Sequence, residues 1–268
     1  MAWQGPVLQS RAGPFSWRFL MLTLPVYDWP TRIFHWLFAA FFVTAFAISN
    51  LLDDDSAGFP LHMLAGMALC GVVLLRLVWS LAGTRHARLS DLKLGPAQLM
   101  SYLKGTFGGT SQRWVGHNPA SSWAAVVMVG LGIGLGTTGY LMASGSGSEI
   151  LEDAHELMAN AFLAVVLLHI AGLIVHALRH HDRLAASMVT GRKQALSSDR
   201  QAVRSHPFVG LAFVALTGLS VVYLLKHYDA QTRSLDLFGQ VLQLGEDETS
   251  HSSGAKDRDR HEGANEHE

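Results

Sequence analysis

The stretch His155–His176, HELMANAFLAVVLLHIAGLIVH, decides how this chain is read. Apart from its histidines, its one charged residue is Glu156. About 20 apolar residues span a bilayer. A segment in hydrocarbon must satisfy its own backbone hydrogen bonds, so this one is a helix. It nevertheless carries His155, His169 and His176, and histidine inside a span is costly and marks function by default. Fourteen residues turn an α-helix about 1400°, about 40° short of four turns. His155 and His169 therefore share a face, about 21 Å apart along the axis. His176, a further seven residues on, lies on that face too.

The rest of the chain has the same character. Of its 268 residues, 49% are hydrophobic and 15% charged, against about 25% charged in soluble domains. Uncharged or nearly uncharged windows run over Ile33–Leu52, His62–Leu81 (with Arg76), Pro119–Ala143, Ala154–Leu178 and Pro207–Leu225. They predict five transmembrane helices. A net charge of −1 argues against a nucleic-acid binder. The single cysteine, Cys70, excludes an internal disulfide, a cysteine-ligated iron–sulfur cluster and a covalent CxxCH haem site. Pairing strands show no competing period-2 pattern.

Lysine and arginine set the orientation. Segments 1–32, 83–118 and 179–206 hold 14 of them, while segments 53–61 and 144–153 hold none. The N-terminus is expected in the cytoplasm and the acidic loops outside, so five spans leave the C-terminus outside. Residues 1–25 read as a cytoplasmic segment without a signal-peptide pattern, with Met21 as an alternative start. Residues 194–206 read as a cytoplasmic linker and 207–225 as the fifth span. Residues 226–268 read as a polar tail whose last twenty or so are disordered. His251, His261 and His267 in that tail lack a tight metal-ligand spacing.

Depth sorts the membrane histidines. His62 and His155 both open helices on the outer side. His35 lies near the inner end of its span, and His169 lies well toward the cytoplasm. Two pairs follow, an outer His62/His155 and an inner His35/His169. Two imidazoles from facing helices can hold one iron. One turn from each stands a small residue, Ala39, Gly66, Ala159 and Gly172, which leaves room for a flat ligand. Gly130, Gly132, Gly134, Gly136 and Gly139 in the third span read equally as helix packing. His176 has three candidate roles: replacing His169, bonding a propionate, or lining a quinone pocket. Arg32 and Arg76 are candidates for inner propionates or for snorkelling. Asn118-Pro119 reads as a helix cap. His117 reads as loop, and His86, His180, His181, His206 and His227 as solvated helix-end residues. Glu156 reads as a cap or as a hydrogen-bond partner of the outer site.

The motifs VYDWPTRIFHW (Val26–Trp36), LHMLAG (Leu61–Gly66), VGHNPASSW (Val115–Trp123), HELMAN (His155–Asn160) and LHIAGLIVHALRHHDRLAASMVTGRK (Leu168–Lys193) together resemble the prokaryotic cytochrome b561 family. This group includes the cytochrome b subunits of nickel-dependent hydrogenases. The resemblance covers about residues 24–193 and implies an all-α diheme four-helix transmembrane bundle over 26–193. Its ligand positions match His35, His62, His155 and His169, with two non-covalent haem b groups. It implies an electron-transfer subunit of an oxidoreductase system in the bacterial inner membrane. The expected partners are the lipid bilayer, ubiquinone or menaquinone, a periplasmic redox protein such as a hydrogenase or c-type cytochrome, and a second copy of the chain. The fifth helix and the tail depart from the family pattern and suit a distinct partner.

Three function classes follow. The first is an electron carrier between quinone and a partner, in either direction, or a superoxide:quinone oxidoreductase. The second is a histidine-lined metal or proton transporter, against which stand the missing inverted repeat and broken helices. The third is a structural anchor for a soluble enzyme, which predicts that His35→Ala spares function.

Overall fold

The computed structural model describes residues 21–108, 117–180, 185–196 and 202–245. The expectations for residues 1–20, His181 and the distal tail lie outside them. Strand β1 (Met21–Pro25) leads into α1 (Trp29–Leu51) and α2 (Pro60–Ala82). Two 3-10 turns, Arg85–Ala87 and Leu89–Asp91, precede α3 (Pro96–Gly108). Helix α4 (Pro119–Leu141) ends in a π-turn at Met142–Ser146, followed by α5 (Glu149–His180). A short α6 (Ser187–Thr190) and β2 (Arg192–Leu196) lead to α7 (Pro207–His227). Strands β3 (Tyr228–Asp229), β4 (Ser234–Leu237) and β5 (Gln240–Gln243) follow.

Five of these helices are long and apolar enough to cross a membrane, and each matches one of the expected spans, the first of them short by Leu52 alone. Their starts are written locally. Asp28 Oδ1 accepts from Thr31 N at 2.9 Å and Asn118 Oδ1 from Ser121 N at 2.7 Å. Both satisfy a backbone donor that a helix start leaves open. Pro30, Pro60, Pro119 and Pro207 occupy first turns, where their missing N–H costs nothing.

Helix α1 packs on α2 and α4 on α5, and α2 also touches α4. Helix α7 lies against α1 and α2. Its approach is close, since a Cβ on Gly210 would sit 2.8 Å from Trp29 Cβ. Between the two helix pairs, Phe38, Phe42, Leu69, Val72, Val73 and Phe162 form a buried apolar cluster.

Small sheets close both ends, which the sequence reading did not anticipate. At the basic-loop end β1 pairs antiparallel with β2, Met21 opposite Leu196 and Pro25 opposite Arg192. At the acidic-loop end β3, β4 and β5 form an antiparallel sheet, Leu235 opposite Leu242. The stretch read only as a polar tail thus begins with a folded cap. Leu235, Leu242 and Leu244 are at most 1% exposed and pack with Leu64, Ala68, Ala143 and Leu224. The alternation is short, and it stands beside the acidic, Ser/Gly/His-rich end of the chain, which hid it. Arg233 Nη1 donates to the Asp55 carbonyl at 2.8 Å, and Tyr140 Oη donates to Gln240 Oε1. The cap therefore ties the first acidic loop and the end of α4 to α7.

Candidate haem-binding centre

The outer histidines meet. The His62 and His155 rings lie with centroids 6.1 Å apart and planes at 69°. His62 Nδ1 donates to the Ala45 carbonyl at 2.8 Å. Thr138 Oγ1 donates to the Gly134 carbonyl at 3.0 Å, so it accepts from His155 Nδ1 at 2.8 Å. Two other helices, α1 through Ala45 and α4 through Thr138, thus orient the two rings. With Nδ1 protonated and held, each ring keeps the Nε2 lone pair for a metal. Imidazole–metal bonds run about 2 Å. The 6.1 Å spacing of the two rings fits imidazoles that would share one metal ion.

A cavity opens beside the pair, lined among others by Gly66, Gly136, Gly139, Ala159 and Met63. A Cβ on Gly66 would meet nothing within 4 Å, so the space one turn from His62 is open. A Cβ on Gly136 would collide with Cys70 Sγ, and one on Gly139 would come within 3.6 Å of His155 Cε1. The third-span glycines therefore serve helix packing and the cavity wall together. Among the described residues no three His, Cys, Asp or Glu side chains converge on a metal position. A site with two protein ligands suits a metal whose other ligands come from a flat macrocycle. The residues present fit haem.

The inner pair is less closely drawn. His35 and His169 lie within electrostatic reach of each other. His35 Nδ1 is buried without a hydrogen-bond partner. His176, toward the C-terminal end of α5, is 8% exposed. Arg76 Nη1 donates to the Ala87 carbonyl at 2.8 Å, and its guanidinium lies 5.6 Å from the Phe34 ring. Arg32 has other business. Its Nε donates to the Met188 carbonyl at 3.4 Å, its Nη2 to that of Val189, and it lies over Trp29 at 4.9 Å. It lines a groove with Trp29, Trp36, Met188 and Val214, between α1 and α7.

Several residues read as solvated or generic have definite positions. His86 is 3% exposed, because the 3-10 turns fold back beneath α2, and its Nδ1 meets Asp91 Oδ2 at 2.7 Å. His117 packs edge-on against Tyr27 at 5.5 Å, with Nδ1 sealed from solvent. Burial, with Lys193, Arg76 and His86 nearby, pushes His117 down to about 3. Burial and Asp91 push the Tyr27 hydroxyl up. His206 meets Trp79 edge-on at 5.5 Å, and His227 stacks on Tyr223 at 4.1 Å. Glu156 is exposed and lies beyond the first turn of α5, while Ser148 Oγ accepts from Leu151 N at 3.4 Å. The partners of the outer histidines, a backbone carbonyl and a threonine, carried no sequence signal beyond Thr138 lying one turn from Gly134.

Comparison with curated proteins and with solved structures found no match. The family model described as prokaryotic cytochrome b561 matches residues 26–191, which run from the approach to α1 to the end of α6 and leave α7 and the cap outside. The match covers all four paired histidines and more than half of the chain. The chain belongs to the prokaryotic cytochrome b561 family, whose members are membrane b-type cytochromes that bind haem and transfer electrons.

Proposed function

We propose that this protein is a diheme cytochrome of the bacterial inner membrane. It carries electrons between the quinone pool, ubiquinone or menaquinone, and a redox partner on the outer side, a hydrogenase or a c-type cytochrome. The observation that carries the reading is the His62–His155 pair, 6.1 Å apart with both Nδ1 atoms anchored. His62 and His155 hold the outer haem, and His35 and His169 the inner one. Haem, when bound, supplies a reversible one-electron couple, and the protein sets its position, potential and access.

The chain's own contributions are specific. Ala45 and Thr138 fix the tautomer of the outer ligands and raise their basicity. The buried cluster around Phe162 keeps water from the space between the two pairs. Fourteen residues separate His155 from His169, so the two sites are staged across about 21 Å of membrane. The excess of basic residues in the loops at the β1–β2 end supports a cytoplasmic position for that end and an outer one for the cap. The cap and α7 then present the surface that a partner meets at the outer haem.

The test is the reduced-minus-oxidised visible spectrum of the purified protein with a haem-to-protein ratio. Two non-covalent b haems per chain are expected. One haem would remove one of the pairs, with His62/His155 suspected first because it lies nearer solvent. No haem in folded, haem-replete protein would overturn the reading and favour a histidine-lined transporter.

A further inference from the structure

We propose that Phe238, at the tip of the β4–β5 hairpin, enters the lipid at the acidic-loop end and anchors the cap to the bilayer. The occupant of this surface is phospholipid, at the boundary between headgroups and acyl chains. The inference rests on α7 as a membrane span and is independent of the haem assignment.

The turn is the first argument. Leu237 faces Gln240 in the ladder, so Phe238 and Gly239 alone make the loop. Both have positive φ, 53° and 87°. A two-residue hairpin loop of this kind favours Asn-Gly. A bulky side chain at positive φ is an outlier, and such strain persists where something holds it. The loop itself does not need the phenyl ring, because Asp236 Oδ1 accepts from Gly239 N at 2.8 Å and braces it. Phe238 is nevertheless 85% exposed on the protein. In water it would carry the strain and leave most of its apolar surface hydrated. In lipid that same surface is covered.

Depth is the second. Helix α7, Pro207–His227, is about 31 Å long, close to the hydrocarbon thickness. Tyr223 stands four residues, about 6 Å, from its end. Phe238 stacks on Tyr223 with ring centroids 5.1 Å apart and planes at 20°, and its backbone N–H donates to Tyr223 Oη at 3.1 Å. The phenyl ring is therefore held beside the last turns of the span. Aromatic side chains gather at this level of a bilayer, with their apolar part toward the acyl chains.

Continuity is the third. Ala212, Leu216, Leu219 and Tyr223 recur every three or four residues, so they form one stripe along α7. Leu216 and Leu219 are exposed. The buried residues Gly210, Phe213, Thr217 and Leu224 lie on another face, toward α1 and α2. The stripe is a face that the bilayer covers, and Phe238 continues it onto the cap. Lys226, exposed in the last turn of α7, is placed to reach the phosphates above. A water-soluble partner meets the cap from the aqueous side and not along this flank.

The experiment uses the full chain in nanodiscs of palmitoyl-oleoyl phosphatidylcholine. The near-isosteric para-fluorophenylalanine takes the place of Phe238, and in separate samples of Leu219 as the lipid reference and of Gln231 as the water reference. Fluorine relaxation is measured with dissolved oxygen, which concentrates in lipid, and with a water-soluble nickel chelate. The fluorine at 238 is expected to respond to oxygen as at 219, and to the nickel chelate several-fold less than at 231. A fluorine at 238 as open to nickel as the one at 231 would overturn the anchor. Protection from both probes would overturn it too, because a protein surface would then cover the ring. Phe238→Asn tests the anchoring itself, since asparagine suits the turn better than phenylalanine. Amide exchange across β4 and β5 should quicken several-fold in that variant, and exchange as slow as the parent's or slower would show that the ring holds nothing.

Discussion

Phe162 of α5 stacks on Phe42 of α1, with ring centroids 4.1 Å apart and planes 21° apart. Phe162 is fully buried, and Phe38 leans against it at 5.6 Å. It stands seven residues from His155 and seven from His169, about 10 Å from each along the axis. The contact joins the α1–α2 pair to the α4–α5 pair midway between the two histidine levels. A dry aromatic layer therefore separates the sites and sets the spacing of the helices that frame them.

Phe162→Ala should empty this layer. In soluble cores such a change costs about 3–5 kcal/mol, part of it transfer from water and part cavity. In a bilayer the transfer part largely disappears, because lipid is as apolar as the core. The expected loss is therefore smaller than in a soluble core, and Phe162→Leu should lose less still. Thermal unfolding in detergent, followed by haem absorbance, checks the order.

Thr138→Val keeps the shape of the side chain and removes the acceptor for His155 Nδ1. Partners of this kind are worth about 10–100-fold in metal-site affinity. The outer haem should therefore leave more readily, while the inner one stays. Competition with apomyoglobin measures this. Equal retention of both haems would mean that Thr138 does not support a ligand.

His62→Ala and His155→Ala should each remove one haem and the same one. His176→Ala should remove none. Haem-to-protein ratios of the three variants decide it, and loss of a haem from His176→Ala with both kept in His62→Ala would show the outer assignment to be wrong.

Leu242→Ala probes the cap, where the hydrophobic effect of water acts in full. Leu242 is 1% exposed against α2 and α7 residues, so a loss of about 2–5 kcal/mol is expected. Limited proteolysis should then cut between β3 and β5 first. Cleavage there at the parent's rate would show that the cap is held by its hydrogen bonds to Asp55 and Tyr140 instead.

The cap at Asp28 came from the structure, while the sequence by itself determined the five spans, the helix start at Asn118 and the order of the histidines along their helices. Each is local: hydropathy needs only a window, a cap needs three residues, and depth along a helix is a count multiplied by a rise. The family resemblance rests on the same local strings, and the family match covers the same region. Only the tertiary structure decided which side chains those strings bring together. Arg32 and Arg76 look alike in sequence, yet packing turns one to the Met188 and Val189 carbonyls and the other toward Phe34. His117 looked like loop until β1, β2 and the turns after α2 closed around it. The cap stayed hidden because its leucines stand in one short stretch beside the acidic end of the chain. They become a core only when α2 and α7 stand beside them, and contacts between residues more than a hundred positions apart leave no pattern in any window.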